Sequence, residues 1–323
     1  MTMLPYKQAI ELADHTPETT WLVDELWSDG AVGILGGEPK CCKSFLSLEL
    51  AVAVSSGQPC LGRFPVRRPG TVLLFAAEDA PRIVKTRLMG IAEARGVDLS
   101  GLDIQVITCE RLRLDEPRDV QALEKTVAAL RPRLLILDPF VRLHRIDENS
   151  SHEVASILEQ LRLMQRRYGT SILIVHHAKK NGGSARAGQA LRGSSEFHAW
   201  GDSNLYMRRT GNRGLVGHDQ LTLSIEHRAA ASRTGIPLAL KGEAERLALE
   251  IEDKIDALVT ANVKPTTTER IERALAEENE PMTLSALRQA SGLRTATLCK
   301  TIKGLLVAGR IHKTTTGYAL VGN

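Results

Sequence analysis

Through about residue 200, short apolar runs alternate with longer stretches of helical period. Residues 31–35, 71–75, 104–108, 134–137 and 172–175 are nearly continuous apolar runs of strand length. Such runs fit strands buried on both faces. Between them, 45–54, 81–95, 117–130 and 151–168 repeat their apolar residues every three or four positions, as helices do. In the last of these, Val154, Ile157, Leu158, Leu161 and Met164 fall on one face. Pro81 suits the first turn of its helix, and Pro132 closes the third. The alternation predicts an α/β fold with a mostly parallel sheet covered by helices.

After about residue 200 the pattern changes. Residues 203–207, 220–226, 237–240 and 247–251 read as strands with few helices between them, extending the same sheet in antiparallel fashion. A short helix over 252–260 then leads to a polar hinge at 262–268 containing Pro265. The domain boundary is placed there, giving 1–262 and 263–323. Residues 1–30 are a lead-in segment packed on the core through Trp21, Leu22, Leu26 and Trp27. The smaller unit reads as helices at 268–278, 284–291 and 295–308, then a hairpin over 311–321 turning at Thr316-Gly317. Three helices and a hairpin make the pattern of a winged helix-turn-helix. Ala290, Leu298, Ile302, Leu305 and Leu306 are its expected core.

Composition narrows the class. The 323 residues are 43% hydrophobic and 25% charged, ordinary for a globular protein. A net charge of +4 permits an acidic partner, with nucleic acid the natural candidate. The five cysteines are odd in number and include no C-x-x-C pair, so neither a disulfide framework nor a zinc site is expected. No apolar signal core opens the chain and no run is long enough to cross a bilayer. The expectation is a reduced, cytoplasmic protein with no membrane association.

The chemistry starts after the first strand. Gly36, Gly37, Glu38, Pro39, Lys40, Cys41, Cys42, Lys43, Ser44 and Phe45 join a strand to a helix that carries Lys-Ser at its start. This is a phosphate cradle. Backbone N–H groups and the helix N-terminus hold the negative oxygens, Lys43 reaches the outer phosphates and the Ser44 hydroxyl holds Mg²⁺. The usual pattern places Gly where Cys42 stands, so that no Cβ keeps the backbone from the phosphates. The departure leaves nucleotide binding as the reading and makes catalytic competence the open question. Lys40, an additional cation in the loop, can offset the poorer fit by attracting phosphate.

Three other strand ends carry polar groups. The run 134–137 ends in Asp138, the position from which an acid orients Mg²⁺ or its water in P-loop hydrolases. The bland alternative is a strand capped by Asp. The run 73–77 ends in Glu78 and Asp79. Glu78 is the candidate to polarise the attacking water, and Asp79 is read as the cap of the helix starting near Pro81. The run 172–175 ends in His176-His177. A histidine there can sense a γ-phosphate, or the pair can satisfy backbone groups. Residues 178–193 carry Lys179, Lys180, Arg186 and Arg192, several glycines and no acid. This stretch reads as a contact for the backbone of single-stranded DNA or RNA, or as a solvated loop.

From Leu284 to Asn323 there is no Asp or Glu, and six Lys or Arg. Arg294, Thr297, Lys300 and Lys303 fall on or near the third helix, which would enter a major groove, with Lys313 and the hairpin tip on phosphate or the minor groove. A protein-interaction module is the alternative.

Together these features resemble the RecA-type ATPases, and among them the RepA-like hexameric replicative helicases of broad-host-range plasmids. The resemblance rests on the cradle through Ser44, Ala76-Ala77-Glu78-Asp79-Ala80-Pro81, Leu137-Asp138, Arg142-Leu143-His144, Glu148-Asn149-Ser150, His176-His177 and Arg192-Gly193-Ser194-Ser195, over about residues 20–240. It implies a ring-forming homo-oligomer, with a hexamer expected. It implies ATP and Mg²⁺ held by Lys43, Ser44 and Asp138, with Glu78 acting on the water and His177 sensing the γ-phosphate. An arginine would come from the neighbouring subunit, Arg192 or Arg228, with Arg192 preferred. The small plasmid helicases lack the C-terminal unit. The expected function is ATP-driven movement on, or remodelling of, DNA, as a helicase or replication factor of a mobile element. The alternatives are a nucleotide-switched DNA-binding regulator and an assembly protein whose nucleotide site has decayed.

Overall fold

A computed structural model gives the fold and describes residues 3–11, 21–177, 196–209, 220–243, 246–252, 267–277, 281–314 and 316–320. The chain separates into two compact units, 1–253 and 254–323. The boundary expected at 262/263 falls outside the described residues, as does the helix expected over 252–260 beyond Glu252, which is itself not helical.

In the larger unit a small hairpin, β1 (Trp21–Val23) and β2 (Trp27–Ser28), precedes β3 (Val32–Gly37) and α1 (Lys43–Ser56). Then come β4 (Val72–Ala76), α2 (Pro81–Ala94), β5 (Ile104–Val106), α3 (Pro117–Leu130), β6 (Leu134–Asp138), α4 (Ser151–Tyr168), β7 (Ser171–His177) and the short α5 (Glu196–Trp200). Four strands close the unit: β8 (Ser203–Arg209), β9 (Gln220–His227), β10 (Arg233–Glu243) and β11 (Arg246–Ile251). One nine-stranded sheet runs in the order β11-β10-β9-β8-β3-β7-β6-β4-β5. From β8 to β5 every pairing is parallel, and β9, β10 and β11 continue from β8 in antiparallel fashion.

The side-chain period of two splits each parallel strand between two cores. Val72, Leu74, Leu134 and Ile136 face the core shared with α1 and α2. Leu73, Phe75, Leu135 and Leu137 face the core shared with α3 and α4. That double burial is why these strands read as unbroken apolar runs. The run at 104–108 is different. Only three of its residues are strand, and Gln105 and Val106 are exposed, because β5 is the sheet's outer strand with β4 as its one neighbour. Pro81 and Pro117 open their helices. In the lead-in segment Leu22, Leu26 and Trp27 are buried, while Trp21 is half-buried with its ring edge-on to His227.

A buried ion pair ties the first helix to its surroundings. The Glu49 carboxylate on α1 has no exposed surface and accepts from Arg95 Nε at 2.6 Å and from the Leu61 N–H at 2.8 Å. Arg95 Nη2 donates to Leu249 O of β11 at 2.6 Å. Burial raises the Glu49 pKa and the arginine opposes it.

The smaller unit contains α6 (Thr267–Glu277), α7 (Leu284–Ser291), α8 (Thr295–Val307) and an antiparallel pair, β12 (Ile311–Lys313) with β13 (Tyr318–Leu320). The Thr283 hydroxyl caps α7 by accepting from the Ala286 N–H. Ile271, Leu275, Leu287, Leu298, Ile302, Leu305 and Ile311 form a separate core. Met282 bridges to Tyr318, adding a short third edge to the hairpin. Ala290, expected inside, is exposed, because the buried face of α7 runs through Leu287 and Ser291 instead.

Candidate functional site

Register places four strand ends side by side. Gly37 of β3 is opposite His177 of β7 and Met207 of β8, and Asp138 of β6 is opposite Ala76 of β4. The carboxyl ends of parallel strands are where open α/β sheets bind ligands. At this edge a cavity of about 280 Å³ is lined by Lys40, Cys41, Cys42, Lys43, Ser44, Phe45, Glu78, Asp79, Arg87, Asp138 and His177, among others.

The loop between β3 and α1 is built tightly. A Cβ at Gly37 would lie 2.5 Å from Met207 O and 2.8 Å from Cys41 Sγ, so only glycine fits. Lys40 and Cys42 take left-handed backbone, φ 64° and 62°, with Cys42 as the N-cap of α1. Cys42 therefore occupies a conformation that glycine adopts without cost. Gly36, Gly37, Glu38 and Pro39 form the strand end and turn and do not line the cavity. Lys43 is buried, its Nζ donating to the carbonyls of Gly37 (3.0 Å) and Glu38 (2.7 Å). Burial lowers its pKa, and Cys41 and Asp138 oppose that.

Asp138 is held against α1. Ser47 Oγ lies 3.2 Å from Asp138 Oδ2 and 3.0 Å from Ser44 O, and the Ser44 side chain also bonds the carboxylate. Burial raises the Asp138 pKa from 3.8 to about 6, against the lowering by the two serines. A buried carboxylate bonded to hydroxyls, beside the hydroxyl of Ser44, is a hard-oxygen donor set that fits Mg²⁺ shared with phosphate oxygens. Ser47 is absent from the sequence reading. Its signal is its place one turn after Ser44 on the same helix.

Glu78 sits at the cavity rim, half-exposed, and accepts from Arg142 Nε at 2.8 Å. Asp79 does not cap α2 as expected. The N-cap is Ala80 with no side-chain bond, and Asp79 pairs with Arg87, whose guanidinium lies 5.0 Å over the Phe45 ring. A cation two turns along the helix outcompetes backbone N–H groups for the carboxylate. The two histidines separate by strand alternation. His177 lines the cavity, whereas His176 is buried on the other face and stacks on Phe197.

Arg228 lies at the opposite edge of the sheet, one residue beyond the His227–Ser203 pairing. It pairs with Asp202 at 3.2 Å and donates to Ala199 O. It cannot reach the cavity of its own subunit. Lys179, Lys180, Arg186 and Arg192 lie outside the described residues.

In the smaller unit Arg294, the N-cap of α8, is exposed, as are Thr297, Lys300, Lys303 and Lys313. Thr297 and Lys300 line a groove of about 760 Å³ with Thr267 and Thr268 of α6. Arg310 also lines it but pairs with Glu272 at 2.7 Å. No helix among the described residues is long and apolar enough to cross a membrane.

A mostly parallel, helix-covered sheet with this loop at its carboxyl edge defines a P-loop protein of RecA-like α/β fold. A family described as "AAA domain" matches residues 3–183, more than half of the chain, and the chain belongs to that family. Among solved structures it is similar to an ATPase domain, at 14% identity and TM-score 0.54 over 70% of this chain and 87% of that one. It is also similar to the RadB recombinase, at 16% identity and TM-score 0.48 over 70% of this chain and 92% of that one. The likeness to the ATPase domain supports the fold.

Proposed function

We propose that this protein is an ATP-hydrolysing, ring-forming motor or remodeller that acts on DNA. One observation carries the reading: Lys43 for the phosphates, Ser44 and Asp138 for the metal and Glu78 for the water surround one cavity at the sheet edge. Lys43 exchanges its two carbonyl partners for the outer phosphates, a stronger charge-assisted contact. Ser44 and Asp138 would hold Mg²⁺, which would supply neutralisation of phosphate charge. Glu78 takes the proton of the attacking water, and His177 faces the outer phosphate. An arginine from the neighbouring subunit completes the site. Arg192 remains the first candidate; Arg228, at the far edge of the sheet and paired with Asp202, could serve only in trans and after leaving that partner.

Residues 178–193 are the proposed single-strand contact, through Lys179, Lys180 and Arg186. The smaller unit is proposed as a duplex-binding winged helix. Its order of three helices and a hairpin edged by Met282, and the exposed Arg294, Thr297, Lys300, Lys303 and Lys313, support this. Hydrolysis measured with and without single-stranded DNA tests the motor. DNA-stimulated turnover lost in Lys43→Ala is expected, and nucleotide binding with no turnover under either condition contradicts it.

That second outcome belongs to a nucleotide-switched DNA-binding regulator. The left-handed Cys42 favours this alternative, since its Cβ stands where the phosphate loop usually presents bare backbone.

A further inference from the structure

We propose that Arg142 is a positioning residue for Glu78, holding its carboxylate toward the cavity from outside. The inference rests on the function proposed above, with Glu78 as the base. Arg142 ends a single helical turn, Phe140–Arg142, that follows β6. Phe140 and Leu143 are fully buried, which turns Val141 and Arg142, lying between them, out to the surface. Arg142 Nε then reaches Glu78 Oε1 at 2.8 Å. Glu78 lines the cavity and Arg142 does not, so the guanidinium meets the carboxylate from the side away from the phosphates.

The backbone under both residues is fixed. Arg113, in the segment before α3, donates through Nη1 to Arg142 O at 2.6 Å and to His144 O at 3.0 Å. The Leu114 N–H donates to Leu143 O at 2.6 Å, and the Arg145 N–H to Asp115 Oδ2 at 3.2 Å. Leu112, Leu114, Phe140 and Leu143 share one core beneath these bonds. The Ala77 N–H donates to Asp138 O at 2.7 Å, tying the strand end that carries Glu78 to the one that leads into the turn. The freedom that remains is in the Glu78 side chain. At 45% exposure it would by itself divide its time among several rotamers. Arg142 is 62% exposed, and an ion pair so open to solvent adds little to stability. It can still select one orientation. A base must lie within hydrogen-bond reach of the proton it takes, and a small misplacement is costly in rate. With Arg142 on Oε1, the second carboxylate oxygen is left for the water.

The test compares full-length wild type, Arg142→Ala and Arg142→Lys in turnover at saturating ATP and magnesium, in ATP affinity by calorimetry, and in thermal unfolding. A general base is worth about 10²–10⁴-fold in rate, and losing its orientation forfeits part of that. Arg142→Ala is therefore expected to lower kcat about tenfold to hundredfold, with ATP affinity within about twofold of wild type and thermal stability unchanged. Arg142→Lys keeps a charge-assisted donor and is expected to recover most of the loss. A merely structural role would move stability and ATP affinity together with kcat. Wild-type or faster turnover in Arg142→Ala overturns the proposal. So does a loss of ATP affinity as large as the loss of turnover, since Arg142 would then act on the nucleotide and not through Glu78. Wild-type turnover in Glu78→Gln sinks the assignment of the base itself, a separate outcome from that of either Arg142 variant.

Discussion

Asp138→Asn should stabilise this protein while disabling it. Burial lifts the Asp138 carboxyl from 3.8 to about 6. An acid whose folded pKa is raised is penalised once ionised. The folded state then holds more protons than the unfolded chain between the two values, so stability falls as pH rises through that window and stays lower above about 6. At about 1.4 kcal/mol per pH unit, the span from 3.8 to about 6 amounts to about 3 kcal/mol at neutral pH. Asparagine removes the charge and keeps an oxygen for the serine hydroxyls, so it should recover most of that amount. Urea unfolding of wild type and Asp138→Asn at pH 8 and pH 4 measures it, with the variant more stable at pH 8 and the gap closing by pH 4. Magnesium and ATP at about 100 times the dissociation constant should add about 2.7 kcal/mol to the wild type and much less to the variant. The reasoning is refuted if the variant is less stable than wild type at pH 8, or if the difference does not depend on pH.

Cys42→Gly relieves a left-handed Cβ, worth about 1 kcal/mol, but loosens the unfolded chain by a similar amount, about 0.4–1 kcal/mol. Stability should therefore barely change while ATP affinity rises, which titration of a fluorescent nucleotide reports. Arg95→Ala leaves the buried Glu49 carboxylate without its cation and should cost about 3–5 kcal/mol in chemical unfolding, with Glu49→Gln in the same background restoring part of the loss. Lys313→Ala, which removes the proposed phosphate contact of the hairpin, should weaken duplex binding alike on all sequences and flatten its salt dependence, as read by anisotropy at several salt concentrations.

The parallel half of the sheet was legible because its inner strands are buried on both faces and each helix on one. Pattern alone separates those cases. The place of Asp138 at the cavity was legible because it ends an apolar strand that pairs within the sheet carrying the phosphate loop. Asp79 was misread for want of Arg87, which reaches it from two turns along α2 and is invisible to a local capping rule. Ala290 was misread because α7 is short and its buried face hinges on a one-residue rotation. The Arg142–Glu78 pair joins residues 64 apart in the chain, and the stacking of Phe197 on His176 depends on where α5 returns to the sheet. Neither follows from periodicity. The left-handed backbone at Cys42 sits where the missing glycine of the motif had marked a demand on conformation.

The central claim is that the triphosphate cavity is formed by Lys43, Ser44, Asp138 and Glu78. Calorimetric titration of ATP with magnesium into wild type, Lys43→Ala and Glu78→Gln tests it most directly. Binding by wild type, its loss by at least tenfold in Lys43→Ala, and its retention without turnover in Glu78→Gln are the expected results. Equal affinity in wild type and Lys43→Ala would place the nucleotide elsewhere and contradict the account.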